Sequence, residues 1–322
     1  MHAKIGIAAL LLAMAPLNGA VAQSEYPDKP IRVVTNAAGT LPDVVIRILG
    51  PALGEALGKP LIIENVAGVG GSTAAERAAR SAPDGYTILV TGDAAMTTNV
   101  TMVEKLSYDP TKDFIAVAMA IDSINILAVP PSLAVSSVAD LVAMAKQQPG
   151  KLTFASAGIG TSQHLGGEIL KRMAAIDIVH VPYRSIAAST PDLLGGRVSM
   201  QFGNISAFLP LVRDGRLRGL AVSSLQRAPQ LPELPTVAEV GYPGFEATAW
   251  AGLFVPAGTP ASIVRKLEQH VIRVVAIPEI RQKLIDLGFV PMGMPGQQFG
   301  EQVKAEIISK GKIVRESGAK PN

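Results

Sequence analysis

Phe154-Ala155-Ser156-Ala157-Gly158-Ile159-Gly160-Thr161-Ser162-Gln163-His164-Leu165 is the stretch around which the rest of the chain arranges itself. A short β-type run, Lys151 to Ala155, enters a loop of small residues. Leu165, Ile169, Leu170 and Met173 then recur at helical spacing, with Thr161 or Ser162 placed to cap the helix. Glycines at 158 and 160 let the backbone bend and leave its N–H groups uncovered. The first turn of a helix carries orphan donors and a partial positive charge, so loop and helix start together make a seat for an anion, read here as a carboxylate cradle. A plain strand-to-helix turn would use the same glycines. Phosphate readings are weaker, because position 163 is Gln where the dinucleotide fingerprint has its third glycine, and no Gly-Lys-Ser/Thr follows.

Outward from this stretch the same strand-loop-helix order repeats. Ile31 to Thr35 is a buried-strand run. Residues 36–43 lead from it into a helix with Pro42 near its first turn and an apolar stripe of Val45, Leu49, Leu53 and Leu57. Gly50-Pro51 is expected to kink that helix and Gly58 to end it. Strands at 61–64 and 86–90 flank a helix over 72–80. Ile124 to Val129 opens a second unit: helix 137–147, strand 151–155, the cradle, strand 178–181, helix 187–194, strand 197–202, helix 205–213 and strand 217–222. The chain crosses back near 246–255, and helices at 260–276 and 279–287, a strand at 289–292 and a final helix from 296 follow. Alternation of this kind predicts an α/β fold whose ligands collect at the carboxyl ends of parallel strands. Two crossings predict two lobes joined by two connecting strands, one lobe from 23–124 and 246–322, the other from 125–245, able to close over a ligand in the cleft between them.

Composition narrows the function classes. The chain has 322 residues, 48% of them hydrophobic and 17% charged, with no low-complexity tract, so two well-packed domains are expected. A formal charge of +3, scattered and without basic stretches that interleave aromatics, gives no support for a nucleic-acid partner. Absence of cysteine excludes disulfides, thiolate metal sites, cysteine nucleophiles and a lipidated amino-terminal cysteine. The four histidines, at 2, 164, 180 and 270, form no metal-ligand spacing, so neither a metal nor a cofactor is expected. Residues 1–22 read as an export signal: Lys4 is followed by an apolar core from Ile5 to Met14, breakers at Pro16 and Asn18, and Ala20-Val21-Ala22 as the cleavage motif. That core is too short to span a bilayer. The mature protein is then nearly neutral, and a periplasmic monomer is expected.

Spaced motifs along the whole mature chain resemble one family. They include Tyr26-Pro27-Asp28-Lys29-Pro30-Ile31-Arg32, Leu57-Gly58-Lys59-Pro60-Leu61-Ile62-Ile63-Glu64-Asn65, Pro83-Asp84-Gly85-Tyr86-Thr87 and Tyr108-Asp109-Pro110. His180-Val181-Pro182-Tyr183, Asp192-Leu193-Leu194-Gly195-Gly196, Leu234-Pro235-Thr236-Val237-Ala238-Glu239 and Pro256-Ala257-Gly258-Thr259-Pro260 continue the series in order. The sequence resembles the extracytoplasmic solute receptors of tripartite tricarboxylate transporters, also called the Bug family of periplasmic binding proteins. The resemblance implies a type II periplasmic-binding-protein fold, no catalysis, a small carboxylate as ligand and a membrane permease as partner. It also implies that backbone N–H groups and hydroxyls of two loops hold the carboxylate. Carried over here, the second loop supplies Ala157, Gly158, Gly160, Thr161 and Ser162. In the first loop Gly39 and Asp43 match the family's pattern, with Ala38 and Thr40 beside them as candidate contacts, but Thr40, Leu41 and Pro42 stand where a glycine, a small residue and a hydroxyl are usual. Ser185 and Ile186 likewise replace a glycine and a small polar residue after Tyr183. Fewer free donors and more apolar surface favour a carboxylate less polar than citrate.

Further candidate contacts each have a plain structural alternative. Asp93 is a ligand contact or a turn and capping residue. Arg184 is a bidentate carboxylate partner or a solvated charge. Asn204 is a rim contact or a cap, and His164 touches the ligand or buttresses the loop. Trp250, the only tryptophan, lies near the crossing. An exported hydrolase using Ser162 and His164 is the rival class. Residues two apart on a helix do not face each other, and no Gly-x-Ser-x-Gly turn is present. A receptor serving a signalling sensor is a second alternative.

Overall fold

The computed structural model describes residues 26–317, so the expected export signal lies outside the described residues. In chain order the strands are β1 (Ile31–Thr35), β2 (Leu61–Asn65), β3 (Thr87–Gly92), β4 (Phe114–Ser123), β5 (Asn125–Val129), β6 (Thr153–Ser156), β7 (Val179–Pro182), β8 (Met200–Asn204), β9 (Arg218–Val222), β10 (Ala249–Pro256) and β11 (Phe289–Pro295). They form two separate sheets, ordered β11-β4-β10-β3-β1-β2 and β7-β6-β8-β5-β9. Within each sheet three parallel strands run second-first-third, β2-β1-β3 and β7-β6-β8. An antiparallel strand then follows, β10 in the first sheet and β5 in the second. Two α/β lobes thus share one strand order, and β1 and β6 are equivalent first strands.

The chain crosses between lobes twice. β4 and β5 are separated only by Ile124, and the return runs from the end of β9 through Ala247 into β10. Strands buried on both faces explain the near-continuous apolar runs. On β1, Ile31 and Val33 face one cluster with Val45, Leu49 and Leu53, while Val34 faces the other with Ala74, Ala78 and Trp250. On β5, Leu127 and Val129 face Phe154, Leu165 and Phe202, while Ile126 and Ala128 face Leu193 and Phe208. Each such buried Leu, Ile or Phe side chain contributes about 1.5–3 kcal/mol relative to exposure.

The helices are α1 (Leu41–Leu57), α2 (Ser72–Ala79), α3 (Asn99–Met102), α4 (Val138–Gln147), α5 (Ser162–Met173), α6 (Ile186–Leu194), α7 (Ile205–Arg213), α8 (Ala261–Ala276), α9 (Pro278–Asp286) and α10 (Gly296–Ser317). α1 continues through Pro51 as one helix and ends at Gly58, whose φ of 71° is the left-handed conformation that glycine adopts without strain. The sequence reading assigns no element to β4, nor to the π-helical segment Ala94–Thr98 that leads into α3. Alanines at 116, 118 and 120, good helix formers, alternate through β4 with Ile115, Val117, Met119 and Ile121; pairing with β10 and β11 decides in favour of strand. No helix among the described residues is long and apolar enough to cross a membrane.

Candidate functional site

Both first strands end in a small-residue loop that leads to a helix N-terminus, 36–40 before α1 and 157–161 before α5. The second is the better-formed candidate for an anion seat. Gly158 and Gly160 have φ of 121° and 81°, values that side-chain-bearing residues adopt only under strain. Thr161 caps α5: its Oγ1 accepts from the His164 N–H at 3.4 Å and donates to the Gly158 carbonyl at 2.7 Å. The Gly158 N–H donates to Ser156 Oγ at 3.1 Å, and the Gly160 N–H donates to His164 Nδ1 at 3.2 Å. Two of the expected glycine donors are therefore consumed in holding the loop. The N–H groups of Ala157, Ile159, Ser162 and Gln163 have no partner within the described chain and are the free donors of this seat.

His164 takes the buttressing role. It is buried, lies tilted against His180 at 4.3 Å between ring centres, and accepts from Gly160. Burial, reinforced by His180 alongside, holds its pKa down to about 4, and burial does the same for His180. Both rings are neutral at pH 7, so the 4.0 Å approach of His164 Nε2 to Glu168 is not an ion pair. With Nδ1 accepting, the His164 proton sits on Nε2. His180 Nε2 lies 2.7 Å from Ser156 Oγ, which places a serine against a histidine at the very start of the loop. Ser156 is fully buried, its oxygen already accepts from Gly158, and its histidine is a weak base. The rival pair, Ser162 and His164, is not brought together.

Ser162, Gln163 and Asn204 belong to an amide network at the first crossing. Gln163 Nε2 donates to Asn204 Oδ1 at 2.7 Å and to Asn125 Oδ1 at 3.2 Å. Asn125 Nδ2 donates to Ser162 Oγ at 3.1 Å and to the Ala247 carbonyl at 2.7 Å. Asn204 Nδ2 donates to Ser123 Oγ at 3.2 Å. Asn125 and Gln163 were not candidates in the sequence. A visible signal was the lone amide in the apolar run Ile124-Asn125-Ile126-Leu127, which a buried strand tolerates only with its partners in place.

The first loop is held by Asp43. Its carboxylate accepts from the Gly39 N–H at 2.8 Å, from Arg47 Nε at 2.9 Å and from Asn65 Nδ2 at 2.7 Å. Burial alone would raise its pKa, but these hydrogen bonds outweigh it and hold the group below the usual carboxylate range. Thr40 Oγ1 donates to the Ala37 carbonyl. Ala38 is exposed and its N–H has no partner among the described residues, whereas Pro42 removes a donor from the first turn of α1. Asp93 is buried against Lys310 of α10 at 2.9 Å, and burial lifts its carboxyl above the usual range despite that partner. Ser185 caps α6 by accepting from Ala188 at 3.2 Å. Arg184 is exposed and has no partner among the described residues; it lies beside Tyr183, whose carbonyl stands 3.7 Å from where a Cβ on Gly158 would lie.

The lobes meet at the seat. A Cβ on Gly160 would come 2.6 Å from Met102 Sδ and 3.4 Å from Thr98 Cγ2, both in the first lobe. Gly71 packs on Asn36 and Gly70 on Asn99, so the 36–43 loop is linked to this contact through the first-lobe rim. A concavity of about 650 Å³ lies between α1 and β2, lined by Arg47, Gly54, Glu55 and Lys59 among others. Among the described residues no group of three or more His, Cys, Asp or Glu could hold a metal.

A family model described as the tripartite tricarboxylate transporter family receptor matches residues 45–319. The chain belongs to that receptor family. Among curated relatives, Protein BugT of Bordetella pertussis is 31% identical over 322 residues, covering 99% of each chain. A Pseudomonas sp. (strain P51) protein from the tcbD-tcbE intergenic region is 34% identical, covering 90% of this chain and 87% of its own. Among solved structures, R. palustris Rpa4515 with adipate superposes with a TM-score of 0.78 at 34% identity, covering 92% of this chain and all of the other. MatC from Rhodopseudomonas palustris with bound malate gives 0.73 at 31% identity, covering 90% of the receptor described here and 100% of its own chain. The receptor therefore has the expected two-lobed periplasmic-binding-protein fold.

Proposed function

We propose that the receptor is exported to the periplasm, captures a small organic carboxylate between its lobes and delivers it to a tripartite tricarboxylate-type permease. The observation that carries this reading is the set of bare N–H groups at Ala157, Ile159, Ser162 and Gln163, gathered at the amino end of α5 in a loop whose Gly158 and Gly160 N–H groups are taken up by Ser156 and His164. Neutral donors at a helix terminus receive a carboxylate without the desolvation cost that a buried ion pair carries. Each charge-assisted hydrogen bond contributes roughly 1.5–3 kcal/mol, so two or three with apolar contact reach micromolar affinity, about −8 kcal/mol. Ala38 and Arg184 are the additional contacts of this reading, and it takes the residues 23–124 with 246–322, and 125–245, as the moving bodies.

Leu41 and Pro42 on the facing loop favour a ligand with an apolar body, and a relative of 34% identity holds adipate. Isothermal titration of the mature protein with adipate, benzoate, aspartate and citrate tests this. Adipate or benzoate is expected to bind most tightly, and binding of citrate alone would contradict it.

A further inference from the structure

Asn125 occupies the point where both chain crossings and the cradle come together. It follows the single residue between β4 and β5, and its side chain is fully buried. Its backbone N–H donates to Ser223 Oγ at 3.0 Å, and its carbonyl accepts from the Ser223 N–H at 2.9 Å. Ser223 in turn accepts, through its carbonyl, the N–H of Ala247 at 3.0 Å on the returning chain. The carboxamide uses both of its ends: two donors reach Ser162 on the cradle helix and Ala247 on the return crossing, and the oxygen accepts from Gln163. Ser162 and Gln163 are the first two residues of α5, and their N–H groups are two of the four free donors of the seat.

We propose that Asn125 is a positioning residue for ligand capture, fixing the first turn of α5 against both hinge crossings so that the seat's N–H groups are already aimed when the acid arrives. This rests on the carboxylate reading of the cradle. Asn is suited to the task because it supplies two donors and an acceptor from one planar group without burying a charge. Leucine has a similar shape but no polar atom. In its place Ser162 would lose a donor and the Ala247 carbonyl would be left without its side-chain partner, while Gln163 would keep Asn204. The first turn of α5 would then have to be ordered at the moment of binding, a cost that falls on the complex.

Two readouts on the mature protein test the proposal. The first is amide hydrogen exchange of the ligand-free protein. In Asn125→Leu, exchange is expected to accelerate in peptides covering 157–166 and 246–250 and to stay unchanged in β1 and α1. The second is adipate binding by titration and stopped flow, with Kd expected to rise about tenfold through faster release. Gln163→Met removes the bonds of Gln163 to Asn125 and Asn204 and leaves those of Asn125 to Ser162 and Ala247 in place. It is expected to raise Kd in the same way, and to add less than its own effect when combined with Asn125→Leu. Unchanged exchange in 157–166 would overturn the proposal, as would accelerated exchange with wild-type Kd and release rate. If Asn125→Leu does not fold, wild-type binding by Gln163→Met would overturn it equally. Failure of the wild-type protein to bind any of the acids would instead sink the carboxylate reading, and the exchange measurement would still decide whether Asn125 holds the first turn.

Discussion

Gly158 shows how a single residue sets the seat. A side chain there would meet little, since its nearest neighbour is the Tyr183 carbonyl at 3.7 Å, but the φ of 121° is available to glycine alone without strain. Forcing a β-branched residue into it costs about 1–3 kcal/mol, which the loop would relieve by turning its N–H groups away. Gly158→Val is therefore expected to lower the melting temperature by only a few degrees while abolishing adipate binding in calorimetry. Normal titration by that variant would remove the loop from consideration. Gly158, Gly160 and Thr161 were legible because turn glycines and capping hydroxyls carry local signals. The fate of individual N–H groups was not: only the fold brings His164 Nδ1 to Gly160 and Asp43 to Gly39.

Among the elements, α10 carries the least expected work. The sequence reading gives it no site role, yet its Glu306 accepts from Trp250 Nε1 at 3.1 and 2.9 Å, and its Lys310 pairs with Glu306 at 2.8 Å and Asp93 at 2.9 Å. The same helix reaches the second lobe, where Val314 joins the cluster of Leu165, Ile169 and Leu170. Asp93 looked like a rim residue because it follows β3. Its actual partner is 217 residues away in sequence, a separation that no local pattern reveals. Lys310→Met would strand the buried Asp93 carboxylate, while the half-buried Glu306 keeps Trp250 and Gln302 as donors, and is expected to destabilise the protein by about 3–5 kcal/mol in urea unfolding. A loss below about 1 kcal/mol would show that the triad is solvent-screened and of little consequence. Most helix and strand positions, by contrast, were readable from periodicity. α7 and α8 fall within a residue of expectation, because each pairs a clear apolar stripe with a sharp boundary at a proline, a glycine or a strand end.

At the scale of the whole molecule, the crossing region couples folding to pH. Asp122, at the end of β4, is raised to about 7, chiefly by burial and also by the nearby Glu246 and Glu306, against hydrogen bonding from Thr248 and Ser123. Between about pH 4 and 7 the folded protein keeps a proton that the unfolded chain has released, so this group lowers stability as pH rises through that window. The neutral histidines act with the opposite sign. Their folded pKa values near 4 lie below the ordinary 6.5, so they lower stability as pH falls from about 6.5 to about 4. Asp122→Asn isolates the first effect. The melting temperature of the variant relative to the natural protein is expected to climb between pH 4 and 7 and level off above; a difference constant with pH would contradict the assignment. The two-lobed architecture itself was legible as a whole, because two strand-helix units with equivalent first strands repeat in the sequence. The amide network at Asn125 was not, because it joins residues from 123 to 247 that meet only once both lobes have formed.

The central claim is that uncharged peptide N–H groups at the start of α5 receive the negative end of the ligand. Backbone amide chemical shifts of isotope-labelled protein, followed as adipate is added to saturation, test it most directly. The amides of Ala157, Ile159, Ser162 and Gln163 are expected to move furthest. Saturable shifts confined to the concavity between α1 and β2, with residues 157–163 unmoved, would contradict it.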